Sequence, residues 1–161
     1  MKIFVFSDSH GNTQPMLNVL QQKRDECDFI IHLGDHCTDI NCIGSIVGIT
    51  PVIAVSGNND FFSDLHEFPY DTTVEIAGKR LFICHGHKLA VKRDLSLLIT
   101  AAKNKNCSIA LFGHTHIPYV KTSDNISLFN PGSIGVFSGE KLSYGTITIN
   151  NNNVKFEINE V

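Results

Sequence analysis

The sequence predicts an α/β (α+β) chain in which two mixed β-sheets pack face to face with helices outside. Two patterns carry that expectation. Short, β-branched apolar runs alternate with a helical pattern in the first third of the chain, and strand–turn–strand patterns dominate the later part. No linker, repeat or shift in composition divides residues 1–161, so a single domain is expected. Parallel strands joined by helices need cover on both faces, and hairpins extend such a sheet at its edges. The face-to-face layering itself goes beyond what periodicity alone establishes.

Lys2 to Ser7, Phe29 to Leu33 and Pro51 to Val55 read as three buried strands. Between the first two, Asn12 or Thr13 caps a helix with Pro15 in its first turn, where proline costs no hydrogen bond. Leu17 and Leu20 share one face of that helix up to about Cys27. Asp39 to Val47 is a weaker helical stretch, interrupted by glycine. From Thr72 the runs TTVEI, AGKR and LFICH form a hairpin that turns at Ala77 and Gly78. A helix follows from Asp94 to about Lys103, then a strand over Ser108 to Phe112. YGTITI and VKFEI form a closing hairpin around the turn from Asn150 to Asn153.

Composition narrows the function classes. Hydrophobic residues make up 42% and charged residues 18%, a globular balance that excludes disorder. A formal net charge of -3 provides no basic field for gripping a long nucleic acid. Five cysteines without a CxxC pair indicate neither a disulfide framework nor a zinc ribbon, and Cys37 and Cys42 are spaced too loosely for a zinc knuckle. Reduced thiols in a cytoplasmic protein are the expectation. No apolar run is long enough for a signal h-region or a membrane span.

Metal-type residues stand at the carboxyl ends of the expected strands. Asp8-Ser9-His10 follows the first, Gly34-Asp35 the second and Ser56-Gly57-Asn58-Asn59-Asp60 the third. His85-Gly86-His87 and Gly113-His114-Thr115-His116 follow two later strands. Ligands of open α/β sheets bind beyond the carboxyl ends of strands, so the five clusters can converge on one crevice. Residues two apart in an extended segment face one way, which lets Asp8 with His10, and His114 with His116, each offer two donor groups together. Gly34, Gly57, Gly86 and Gly113 are expected to let the backbone turn sharply there. Asn130-Pro131-Gly132-Ser133 reads as a turn that brings backbone near the same place.

In the order DxH, GD, GNxD, HGH, GHTH these motifs resemble the calcineurin-like metallophosphoesterase family over nearly the whole chain. The compact size and Asn59 look most similar to its small YfcE-type phosphodiesterases. The resemblance implies a four-layer αββα sandwich and two divalent metal ions. Asp8, His10, Asp35 and His116 would hold one, and Asp35, Asn58, His85 and His114 the other, with Asp35 bridging. It implies hydrolysis of small phosphodiesters by a metal-bridging hydroxide, with two cations about 3.5–4 Å apart. No covalent intermediate is expected. Imidazole and carboxylate donors suit Mn²⁺ first, with Ni²⁺, Zn²⁺, Fe²⁺, Co²⁺ or Mg²⁺ as alternatives.

Many family members carry histidine where this chain has Asn59, and an amide cannot act as a general acid. Asn59 can still hydrogen-bond a phosphate oxygen, and His87 is the remaining candidate proton donor. Hence diesters with good leaving groups are the expected substrates. His87 reads equally as a structural histidine, and Asp60 as a group that orients a neighbour by hydrogen bonding. Asn12 is a candidate phosphate contact or a helix cap, Asp39 a cap, and His32, His36 and His66 pack or face solvent. Phe61, Phe62, Leu65 and Phe68 form an apolar patch suited to core, cleft wall or a homodimer contact. Singly, Asp8 and Asp35 read as caps or turn formers. The competing function is a protein scaffold resembling the retromer subunit of the same fold, whose metal site has degenerated; a phosphomonoesterase is a third reading. No membrane partner is expected.

Overall fold

In β1 (Lys2–Phe6) alternate side chains enter different cores: Ile3 and Val5 point one way and Phe4 and Phe6 the other, all fully buried. The same alternation recurs in β5 (Lys79–Cys84), where Leu81 and Ile83 face inward and Phe82 and Cys84 outward. That period of two builds the layers. In the computed structural model, which describes residues 1–60, 68–135, 141–151 and 153–161, the inward set forms a core between two five-stranded sheets. Phe61, Phe62, Leu65 and His66, and Asn152 of the closing turn, lie outside the described residues.

The first sheet has the order β10-β9-β1-β2-β3, with β2 (Phe29–His32), β3 (Val52–Ala54), β9 (Ser143–Asn150) and β10 (Asn153–Glu160). The second has the order β4-β5-β6-β8-β7, with β4 (Asp71–Ile76), β6 (Ile109–Leu111), β7 (Tyr119–Ser123) and β8 (Ile126–Asn130). In the first sheet the parallel pairs β1–β2 and β2–β3 form one side and the antiparallel pairs the other, whereas in the second the parallel pairs β5–β6 and β6–β8 lie in the middle with an antiparallel pair at each edge. Helix α1 (Gln14–Lys23) covers Phe4 and Phe6 with Met16, Val19 and Leu20. Gly44–Val47 forms α2, and α3 (Ser96–Asn104) covers Phe82 and Phe112 with Leu98 and Ala102. The result is the expected four-layer αββα arrangement. Among the described residues no helix is long and apolar enough to cross a membrane.

Three local expectations are corrected. Thr13 is the N-cap of α1, yet its side chain makes no capping bond. α3 begins at Ser96 rather than Asp94, because Asp94 Oδ1 accepts from Ser96 N (2.9 Å) and holds the entry outside the helix. The stretch from Cys37 to Ile43 is a 3₁₀ turn, and only Gly44–Val47 is α-helical. The hairpin of β7 and β8 escapes sequence reading for a physical reason. β7 is a largely exposed edge strand without apolar alternation, and its primed turn uses Asp124 (φ 53°) and Asn125 (φ 64°) instead of a glycine.

Candidate metal centre

The loops after β1, β2, β3, β5 and β6 meet at one end of the two sheets, and hydrogen bonds tie them together. Asp8 N donates to Gly34 O (3.0 Å) and Gly113 N to His85 O (3.0 Å). Asp8, Asp35, His116 and His10 all adopt left-handed φ, between 48° and 61°. Each loop thereby turns at once and folds its side chain back over the sheet ends, a conformation that costs about 1 kcal/mol or more per residue and is concentrated at functional sites.

The fully buried Asp8 carboxylate is anchored through one oxygen only. Oδ2 accepts from Ser7 Oγ and from His114 N (3.2 Å). Oδ1 is buried without an aligned hydrogen bond, 3.1 Å from His116 Nε2 and 3.9 Å from Nε2 of both His10 and His85. Asp35 stands between two imidazoles: Oδ2 is 3.5 Å from His10 Nε2 and Oδ1 is 3.4 Å from His85 Nε2. One ligand atom from each of Asp8, His10, Asp35 and His116 lies within 4.8 Å of the others.

His85 decides what kind of group fits here. Its Nδ1 lies 2.8 Å from Leu33 O, and a carbonyl only accepts, so Nδ1 carries a proton and, in the neutral imidazole, Nε2 presents its lone pair. That lone pair is buried, unpartnered and turned to the Asp8 and Asp35 oxygens. Acceptor facing acceptor in a buried site is unfavourable until a cation lies between them. Mixed imidazole and carboxylate donors then suit a divalent metal.

The protonation tendencies differ from group to group. Burial alone would raise the Asp8 pKa, but the nearby His116 and His85 imidazoles and the Ser7 hydroxyl bring it below the usual carboxylate range. Contact with Asp8 raises His116. Burial lowers His10 against the pull of Asp35 and Asp8. It pushes His114 down to about 4, helped by His85 and Lys92. His10 and His114 are therefore neutral at pH 7, the form that ligates.

Of the second set of expected ligands, His114 packs beside His85 with ring centroids 5.0 Å apart, while Asn58, like Asn59, is exposed. It is Asn59 that reaches Asp35, donating from its backbone N to Oδ1 (2.9 Å) and from Nδ2 to Oδ2 (2.6 Å). Asp60 accepts three backbone N–H groups, from Asp35 (2.9 Å), Cys37 (2.9 Å) and Gly57 (2.7 Å), and so pins the loop that carries Asp35. His87 lies 5.4 Å from His85 and 6.2 Å from His114 by ring centroid, with a buried, unpartnered Nδ1. Gly34 turns as expected at φ 99°. At Gly57 and Gly113 the requirement is instead space: a Cβ would fall on the Asp35 carboxylate or on Ser7 Oγ.

Sequence reasoning missed the scaffolding behind these groups. Gly34 N donates to His32 Nδ1 (3.2 Å), so His32 Nε2 carries the proton and donates to Ser9 Oγ (3.2 Å). Ser9 Oγ donates to Asp39 Oδ2 (2.7 Å), which also accepts from Gly11 N (2.9 Å), making Asp39 a clamp on the Asp8–His10 loop rather than a helix cap. Asn130 Nδ2 donates to Gly113 O (2.9 Å) and Ser133 Oγ to Asp8 O (2.9 Å), which gives the Asn130–Ser133 turn its role. Asn12 Nδ2 donates to Gly135 O (3.2 Å), and His36 packs beside His10. The available signal was a histidine inside the apolar run FIIHL.

His32 is fully buried, and burial pushes its pKa down to about 4 from the ordinary 6.5. A second proton would sit on Nδ1, against the Gly34 N–H. The folded pKa is the lower one, so this contribution to stability is complete above pH 6.5 and is lost as pH falls toward 4. The slope is about 1.4 kcal/mol per pH unit. In urea titrations of metal-free protein at pH 6.5 and 5, wild type is expected to lose about 2 kcal/mol more than His32→Gln. Equal losses in the two proteins would remove His32 as the cause.

Residues 1–152 match the model of the Calcineurin-like phosphoesterase superfamily domain. Phosphodiesterase YfcE of Escherichia coli K12 is 30% identical over 169 aligned residues, covering 91% of this chain and 87% of its own. Of the solved structures, a conserved uncharacterized protein of Streptococcus pneumoniae TIGR4 aligns with a TM-score of 0.82 at 24% identity, over 99% of this chain and 88% of that one. A single mutant of Entamoeba histolytica Vps29 aligns with a TM-score of 0.78 at 20% identity, over 100% and 99%. At those identities the two structures show the fold alone. With the family model spanning the chain almost end to end, this protein belongs to the calcineurin-like phosphoesterase superfamily.

Proposed function

We propose that the protein is a two-metal phosphodiesterase acting on small diesters. The observation that carries this reading is the buried His85 Nε2 facing two carboxylates, Asp8 and Asp35, without an aligned hydrogen bond to either. Asp8, His10, Asp35 and His116 would hold one divalent ion, and Asp35, His85 and His114, with Asn58 at the open side, the other. Mn²⁺ is the first choice for such donors. Ions bound there supply polarisation of the phosphoryl oxygens and a water acidified enough to attack at neutral pH.

The chain's own residues set the rest. Asp60 fixes the Asp35 backbone and Asn59 its carboxylate, so the site is positioned before substrate arrives. Burial, with His85 and Lys88 nearby, lowers the His87 pKa and keeps it neutral at pH 7, a poor proton source. Asn59 has no proton to give. Both facts support diesters whose leaving groups depart without protonation, in keeping with the relative named a phosphodiesterase. All five cysteines are free thiols, which supports a cytoplasmic setting. The likeness to Vps29 favours a protein scaffold as the second reading.

Chelator-stripped protein is expected to leave bis(p-nitrophenyl) phosphate intact and to cleave it once Mn²⁺ is restored, with p-nitrophenyl phosphate turned over more slowly. Folded, metal-loaded protein that cleaves neither ester would put the scaffold reading first.

A further inference from the structure

We infer that a cavity beside the Gly113–His116 loop is the subsite for an apolar alkyl or simple aryl substituent of the diester, an assignment that rests on the phosphodiesterase reading. The cavity is about 500 Å³ and is lined by Val91, Lys92, Leu95, Phe112, Ile117 and Tyr119, with Thr115. That volume lies within the usual range for small-molecule sites. Thr115 lines it, and its chain neighbours His114 and His116 belong to the metal centre, so the cavity and the centre share one loop. A phosphodiester has two ester arms. With the phosphorus at the carboxylates and imidazoles, one arm can leave through the open side at Asn58 and Asn59, and the other can pass along the Gly113–His116 loop that the cavity shares.

The lining states the chemistry of that arm. Phe112 and Tyr119 meet edge to face with ring centroids 6.1 Å apart, and Val91, Leu95 and Ile117 add aliphatic surface. The Thr115 hydroxyl is already engaged: it accepts from Asn130 Nδ2 (3.0 Å) and Ile117 N (3.2 Å) and lies 3.4 Å from Ile117 O. It offers little to the polar edge of a nucleobase or to a sugar, which would be desolvated at a cost. Lys92 is the one charged residue of the lining, and its field reaches both His114 and His116. A cation there complements the phosphate, and leaves the hydrocarbon arm to fill the cavity.

The test compares phenyl p-nitrophenyl phosphate with methyl p-nitrophenyl phosphate, which share a leaving group and differ only in the second arm. With Mn²⁺-loaded wild type, kcat/KM for the phenyl ester is expected to exceed that for the methyl ester by roughly tenfold or more. In Ile117→Asp, where a 55% exposed side chain at the rim becomes a carboxylate, that ratio is expected to fall toward one. A wild-type ratio near one, or an unchanged ratio in the variant, overturns the assignment. The second readout needs no catalysis. Phenyl phosphate titrated into isotope-labelled, metal-free protein should shift the Val91, Leu95, Thr115 and Ile117 amides, and methyl phosphate should not. Shifts confined to other residues overturn the subsite. Cavity shifts without hydrolysis of either ester overturn the phosphodiesterase reading and uphold the cavity's preference for an apolar arm.

Discussion

Asp35→Asn is expected to lower metal-dependent diester hydrolysis by more than about 100-fold, beyond what even outer partners of a metal site cost. The carboxylate works through both oxygens. Oδ1 accepts from Asn59 N and faces His85, and Oδ2 accepts from Asn59 Nδ2 and faces His10. An amide at this position is nearly isosteric but has one oxygen to give. Whichever way it turns, an NH₂ group meets an Asn59 donor, and one imidazole lone pair loses its share of the negative charge. The fold should survive, because the local mismatch costs only about 1–3 kcal/mol. Calorimetric titration with Mn²⁺ should show weakened binding at both positions, while circular dichroism stays native. Activity within tenfold of wild type would show that Asp35 is not shared between two ions.

The strands were legible as continuous apolar runs, while their layering was legible only through the family resemblance. Ile3 and Val5 enter one core and Phe4 and Phe6 another, as Leu81 and Ile83 do against Phe82 and Cys84, so both faces are buried and the runs carry no polar residue to mark a face. The ligand candidates were legible because Asp and His at the ends of buried strands have no packing reason to be there. What stayed hidden is a matter of long-range geometry. Ser9, Asp39, Asn130 and Ser133 are ordinary loop residues in the sequence, and they acquire roles only when the loops after β1, β2, β6 and β8 are brought side by side. Likewise neither Asn58 nor Asn59 announces which one bonds to Asp35, since that depends on a backbone held by Asp60. The cavity at Lys92 and Ile117 joins residues from separate elements, so no local pattern encodes it.

The glycine beside Asn58 offers a sharper probe, since Gly57→Ala is expected to disable the centre without changing any ligand. Its φ lies outside the left-handed region, so alanine meets no backbone penalty there. The obstacle is space: the new methyl would fall on Asp35 Oδ1 and Asp35 N, with Cγ of the same carboxylate at 2.9 Å. Nor can the strand end simply retreat. Gly57 N donates to Asp60 Oδ2 (2.7 Å), and the same oxygen accepts from Asp35 N, so moving Gly57 away loosens the clamp that holds Asp35. Overpacking of this kind costs about 1–3 kcal/mol, and a displacement of about 1 Å at a reacting centre costs on the order of 100-fold in rate. Gly78 is the opposite case, with φ 73° in the β4–β5 turn and nothing within 4 Å of an added Cβ. Gly78→Ala should therefore cost about 1 kcal/mol of conformational strain and leave hydrolysis unchanged. Urea unfolding and kcat measured on both variants separate the two costs. If Gly57→Ala kept wild-type rate and stability, the loops after β2 and β3 would be free to part, and Asp35 would owe its position to the metal ions rather than to the protein.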